Sequence, residues 1–305
     1  NGSRQVEAAL WMFWVAQQYA AFTGDAQGAW DKFKAILKKI ADSFIEGGRM
    51  GVSLNKDNGM LWTKMNGVAL SWMNAYGSNS LPIAERGGYQ VETNALWYNA
   101  LCYLVENETK YGKGGKAVYA WMDVKEKIER NFYNMFWVEE RAHLADYVDE
   151  MGQNKFTRPN QVFACALEYS PINDEVKANI LRSIQRELLT SRGLRTLSPK
   201  NPLYKGVYEG NQDQRDHAHH QGCTRPWMIG FYIEASLKLF GGAALSKAEE
   251  LVDAYADDMT LHGIGSIAEL YNGDPEYVPH GAICHTGAVS EVLRAKYIIA
   301  KFKKD

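Results

Sequence analysis

Few of the features that announce a cofactor, a metal or a membrane occur in these 305 residues. Cysteine is scarce: Cys102, Cys165, Cys223 and Cys284 stand about 60 residues apart, with no CxxC pair. That spacing excludes a disulfide framework or a zinc quartet and fits free thiols in a reducing compartment. The expected compartment is the cytoplasm. The periplasm stays open because the chain starts Asn1-Gly2-Ser3 without an initiator methionine, as a fragment of a longer protein does. The longest apolar run, Ala8 to Ala16, falls far short of the roughly 18 residues of a membrane span, so no membrane partner is expected. An excess of one charge is lacking too. Lys and Arg number 34 against 36 Asp and Glu, which leaves no cationic surplus for nucleic-acid phosphates. No Walker loop, GxGxxG after a strand, GxSxG or HExxH appears, so no metal or organic cofactor is implied.

What the chain does have is apolar and aromatic surface. Hydrophobic residues make up 46%, with 9 Trp, 17 Tyr and 11 Phe. That is ample for a large core, and such rings also stack on sugar faces. Helical periodicity dominates: Phe33, Ile36, Leu37, Ile40 and Phe44 share a stripe, as do Trp121, Val124, Ile128, Phe132 and Met135. The pattern predicts nine helices, near 5–22, 29–46, 91–109, 116–136, 158–168, 174–190, 216–240, 246–262 and 286–302. Any strands should be short and confined to loops.

The connections carry the topology. Short turns follow the first, third, fifth and seventh helices. Long excursions near 47–90, 137–157, 191–215 and 263–285 follow the others. If neighbouring helices are antiparallel, all four excursions lie at one end, and such long loops are usually functional. The expected fold is all-α, a toroid of helical hairpins, and a single domain over 1–305 despite a length prior of about two.

The excursions hold Leu70-Ser71-Trp72-Met73-Asn74, Thr157-Arg158-Pro159-Asn160-Gln161, Arg215-Asp216-His217-Ala218-His219-His220-Gln221-Gly222 and Ile267-Ala268-Glu269. Glu92, at a helix start, is either an acid favoured by the helix dipole or a cleft carboxylate. The histidine group reads as cleft hydrogen-bonders, helix-cap polarity or, least of all, a metal site, since one tight cluster rarely supplies a full shell. Carboxylates, amides and indoles around one mouth are the equipment of a carbohydrate site.

At these residues the chain resembles the C-terminal amylo-α-1,6-glucosidase domain of bacterial glycogen debranching enzymes. The resemblance also takes in Ala9-Leu10-Trp11, Val91 through Leu101, Gly193 through Pro199, Glu269 through Asp274 and Glu291-Val292-Leu293-Arg294. It implies an (α/α)6 six-hairpin glycosidase toroid, with the family's first helices outside this chain and an open gap, lined by exposed apolar side chains, between the first and last helices. It implies inverting hydrolysis of α-1,6-linked glucose at branch points of an α-glucan such as glycogen or limit dextrin. Inversion needs an acid and a base about 6.5–9.5 Å apart. The family's base falls on Glu269 and its acid on Asn74, which should face each other across the cleft. An amide has no proton to give, so Glu92 and Asp216 become the surrogate acids to consider. Trp72, Trp97, Arg215, His220, Gln221 and Trp227 are the expected sugar-binding residues, with core packing the competing role for Trp72 and Trp97. Two further departures from the family pattern are Arg225 in place of a Trp and His285-Thr286-Gly287 in place of Gln-Ala-Trp. The alternatives are an inactive glycan-binding domain and, by fold analogy alone, a sugar epimerase or isomerase using a histidine pair.

Overall fold

The computed structural model describes residues 5–47 and 50–304. Helix α1 (Glu7–Thr23) ends at Gly24, whose φ of 69° is the left-handed conformation that suits glycine at a C-cap. Asp25 then caps α2 (Ala26–Ile45) by accepting the Gly28 N–H at 2.7 Å. Helices α3 (Val91–Tyr111) and α4 (Lys116–Phe136) follow. The expected stripe of α4 is its buried face: Trp121, Val124, Ile128 and Phe132.

Three predicted helices break. The 158–168 segment is a 3-10 turn at Pro159–Gln161 followed by the short α5 (Val162–Ala166). The 216–240 segment divides into α7 (Gln212–Gln221) and α8 (Ile229–Phe240), after α6 (Asp174–Glu187). The cause is local: Gly222 ends α7, and Pro226 pushes Arg225 to φ −115°, ψ 115°, an extended conformation. Apolar periodicity runs across this break, which hides it in the sequence. The last, 246–262, becomes α9 (Leu245–Asp253) and α10 (Asp258–Leu261) before α11 (Thr286–Phe302).

The helices form a two-layered arc. In the inner layer α1 packs on α3, α3 on α5, α5 on α8 and α8 on α11. Outside them, α2 lies on α1 and α3, α4 on α3, α6 on α5 and α8, and α9 on α11. One continuous core cluster runs through both layers. Burying each large apolar side chain contributes about 1.5–3 kcal/mol. The ends of the arc, α1 and α11, meet through side chains: Arg294 lies 5.3 Å from the Trp14 ring and Phe22 6.5 Å from Tyr297. Along that seam Phe22 is 80% and Leu293 65% exposed.

The four excursions meet at one end and are sewn together there. Strands 89–90, 147–149 and 152–154 join the first two, in the order 89–90, 147–149, 152–154. Strands 189–190, 193–195, 224–225, 270–271 and 279–280 join the last two in one antiparallel sheet, with Thr224 paired to both Arg195 and Tyr271. Ser198 N–H donates to the Thr157 carbonyl, which ties the two halves.

Candidate active site

Between these loops and the inner faces of α1, α8 and α11 lies a cleft of about 480 Å³, within the range of small-ligand sites. Glu269 and Asn74 both line it. Glu269 immediately precedes strand 270–271. Its own N–H donates to the Ala282 carbonyl at 2.9 Å, and the Ala282 N–H donates to its Oε2 at 3.1 Å. Gly281, at φ 73°, makes room: a Cβ there would lie 2.7 Å from Glu269 Oε2. The neighbouring strand brings in Arg225, whose Nη1 donates to Glu269 Oε1 at 3.1 Å.

Electrostatics favour an ionised Glu269. Burial pushes the carboxyl up, but the Ala282 N–H and the Arg225 charge outweigh it, and the net direction is down. His219 Nε2 stands 3.9 Å from Glu269 Oε1, yet this is no ion pair: burial, then Arg225, holds His219 down to about 3. His220 is likewise held well below its usual value by burial and Arg225, and His285 is lowered chiefly by burial. All three imidazoles are therefore neutral at pH 7.

The apolar wall is aromatic. Trp72 meets His220 edge-on at 5.4 Å and Trp227 at 5.3 Å. Trp11 and Trp14 of α1 meet edge-on at 5.7 Å, and Phe231 lies 5.4 Å from each. Trp72, His220 and Trp227, the residues for which sugar contact was expected, all line the cleft. Trp72 is aimed from below, its Nε1 donating to Asn160 Oδ1 at 2.9 Å.

Other expected residues lie elsewhere. Trp97 is fully buried in the core, donating to the Gly59 carbonyl at 3.1 Å and packed on Phe44. Glu92 is 1% exposed and paired through both oxygens with Arg86, which also binds Asp146 through Nε at 2.7 Å. Asp146 accepts from Asn160 at 2.7 Å, so this buried network supports Trp72 from beneath rather than facing a sugar. Asp216 accepts from Gln212 Nε2 at 2.7 Å on α7 itself, and Arg215 donates to the Gly210 carbonyl at 2.5 Å. Gln221 accepts from Arg158 Nη2 at 2.7 Å. None of these five lines the cleft. A helix start or a neighbouring motif residue does not reveal which way a side chain turns.

Sequence reasoning did not assign Trp14 or Glu291 to the cleft, although both line it, as does His219 of the histidine group read as cleft hydrogen-bonders. For Glu291 the signal was available: Gly287, Ser290 and Glu291 recur at helical spacing and share one face of α11. Both Glu291 oxygens accept from Arg294, at 2.8–3.0 Å, and burial raises this carboxyl. Among the described residues no group of three or more His, Cys, Asp or Glu converges as a metal site.

A helical toroid with a carboxylate and an aromatic wall under its loops is the architecture of glycoside hydrolases, and comparison with solved structures agrees. The chain resembles GH63 mannosylglycerate hydrolase from Thermus thermophilus in complex with glucose, at 11% identity and a TM-score of 0.65, over 95% of this chain and 74% of that one. It resembles neutral trehalase from Saccharomyces cerevisiae at 11% identity and a TM-score of 0.51, over 75% of this chain but only 40% of the trehalase. In its complex with Tris, the mannosylglycerate hydrolase matches at 12% identity and a TM-score of 0.50, over 68% of this chain and 45% of that one. These likenesses define the six-hairpin glycosidase toroid. The amylo-alpha-1,6-glucosidase family profile matches residues 3–294. This chain belongs to that family.

Proposed function

We propose that this glycoside-hydrolase domain cleaves an α-glucosidic bond with inversion, and that α-1,6-linked glucose in a branched α-glucan is the bond to test first. Glu269 carries the reading. It is a cleft carboxylate kept ionised by Ala282 N–H and Arg225, the state a base needs to take a proton from water. The attacking water would bond to the anomeric carbon while its proton passes to Glu269. Trp72, Trp227 and His220 would hold the glucosyl ring. The family's proton donor position is Asn74, which supplies hydrogen bonds but no acid.

Asn74 also favours a second reading, a glycan-binding domain with little hydrolysis. Glucose release from α-limit dextrin by the wild type and by Asn74→Asp and Glu269→Gln variants distinguishes the two. Release that Asn74→Asp raises and Glu269→Gln abolishes supports the hydrolase. Glycan binding without release from any variant supports the binding domain.

A further inference from the structure

We infer that Glu291 of α11 is the proton donor of this cleft, giving its proton to the leaving oxygen while Glu269 takes one from water. The inference rests on the hydrolase reading of Glu269 and supplies the acid that the Asn74 amide cannot.

Among the described residues two carboxyls line the cleft, Glu269 and Glu291. Their surroundings push them in opposite directions. Glu269 lies against an N–H and a guanidinium and is lowered. Glu291 has 11% of its side chain exposed, and burial raises it against the pull of Arg294, with Glu234 adding to the rise. Two carboxyls of one site held apart in this way take the roles of acid and base.

The partners of Glu291 leave it able to hold a proton. Arg294 reaches both its oxygens at 2.8–3.0 Å and also donates to Glu234 of α8 at 2.5 Å, so one buried guanidinium serves two carboxyls. Lys238, the other cation on Glu234, is half-exposed and its charge is screened by water. From α1 only Trp11, Trp14 and Val15 face the cleft, and the guanidinium lies 5.3 Å from the Trp14 ring and 4.4 Å from that of Phe231. Apolar walls of this kind favour the neutral carboxyl.

Position separates donor from base. The His285 N–H donates to the Ile267 carbonyl at 3.0 Å, which ties the loop carrying Glu269 to the start of α11. Glu291 stands six residues further on, about 9 Å along the helix axis, on the face it shares with Gly287 and Ser290. Inversion needs such room, about 6.5–9.5 Å between its carboxyls, for the sugar and the water. Other groups drop out. The three neutral imidazoles are far too weak as acids. Glu7, pushed up to about 8 by burial and then by Glu92, does not line the cleft, and Glu92 and Asp216 are bonded elsewhere.

The step balances. Water's oxygen bonds to the anomeric carbon and its proton goes to Glu269. The bond from that carbon to the glycosidic oxygen breaks, and the oxygen leaves as a hydroxyl with the electron pair and the Glu291 proton. Exchange with solvent restores both carboxyls.

The test compares kcat/KM across pH for the wild type, Glu291→Gln and Glu291→Asp. The substrates are isomaltose, whose sugar hydroxyl needs a proton to leave, and α-glucosyl fluoride, whose fluoride does not. A positioned general acid is worth about 10²–10⁴-fold. Glu291→Gln should lose about 10³-fold on isomaltose, within that range, and keep its cleavage of the fluoride, which also shows that the variant is folded. Glu291→Asp should recover part of the loss. In the wild type, isomaltose cleavage should fall on the alkaline side as Glu291 loses its proton, and fluoride cleavage should not. Equal loss on both substrates, or no loss on isomaltose, overturns the inference and leaves the hydrolase reading standing. So does an alkaline limb that the wild type shows with both substrates, a result that needs no variant, or wild-type cleavage of the fluoride alone. No cleavage of either substrate by the wild type overturns the inference and the hydrolase reading together.

Discussion

Replacing Arg225 with Met should move the acid limb of the pH–rate profile upward by about one pH unit. The guanidinium sits 3.1 Å from Glu269 Oε1, and its charge and its hydrogen bond both lower that carboxyl against the opposing effect of burial. An opposite charge this close moves a carboxyl by about 1–3 pH units. Glu269 keeps 25% of its side chain exposed, so water screens the pair and the lower end applies, about 1.4 kcal/mol. The sign follows from the proposed role as base, because a base acts only when ionised and a higher pKa delays ionisation. The same depression contributes stability above the unfolded-state pKa of Glu269, which is lost as pH falls through its folded value. The assay is kcat/KM for α-glucosyl fluoride across pH, since that substrate reports the base without a proton donor. An acid limb that stays in place or moves down would refute the pairing argument.

Three further outcomes follow from the geometry. Glu7→Gln should flatten the pH dependence of stability: the raised carboxyl favours the fold fully below its unfolded value near 4.5, and that advantage is lost as pH rises towards about 8, as urea unfolding across this window would reveal. Arg86→Met strands Glu92 in the interior and leaves Asp146 with Arg158 at 3.5 Å, so unfolding should become easier by about 3–5 kcal/mol, measured by the urea midpoint. Trp97→Ala should cost about 3–5 kcal/mol through its cavity while leaving KM unchanged in the folded fraction, whereas Trp72→Ala should raise KM.

The helical layers were legible because their signal is local. Trp121, Val124, Ile128 and Phe132 repeat at the helical period and bury together. Alternating short and long connections placed the long loops at the end that holds the cleft without any knowledge of contacts. The break at Gly222–Pro226 was not legible as a break, since apolar periodicity continues on both sides of a strand pairing set by residues far away in sequence. Site residues divided the same way. Glu269, Asn74, Trp72, His220 and Trp227 reached the cleft, while Glu92 was captured by Arg86 from an aperiodic loop whose fold no local pattern foretells. Arg225 stood out in the sequence as a departure, but its partner became visible only once two strands lay side by side.

The five-stranded sheet has a consequence for how this protein is made. Asn74 and Glu269 are about 200 residues apart, and the strand carrying Arg225 cannot gain its second neighbour until residues 270–271 have been synthesised. During translation the aromatic wall of α1 and the α3–α4 hairpin emerge before those strands, rich in local contacts that form quickly. Until the last strands arrive, Trp72 and Trp227 lie in a half-built mouth, and the nascent chain presents greasy surface with nothing to cover it. A ribosome stalled before residue 269 would therefore leave most of the helical arc in place but an unfinished cleft, and this domain's period of greatest risk from aggregation falls late in its synthesis.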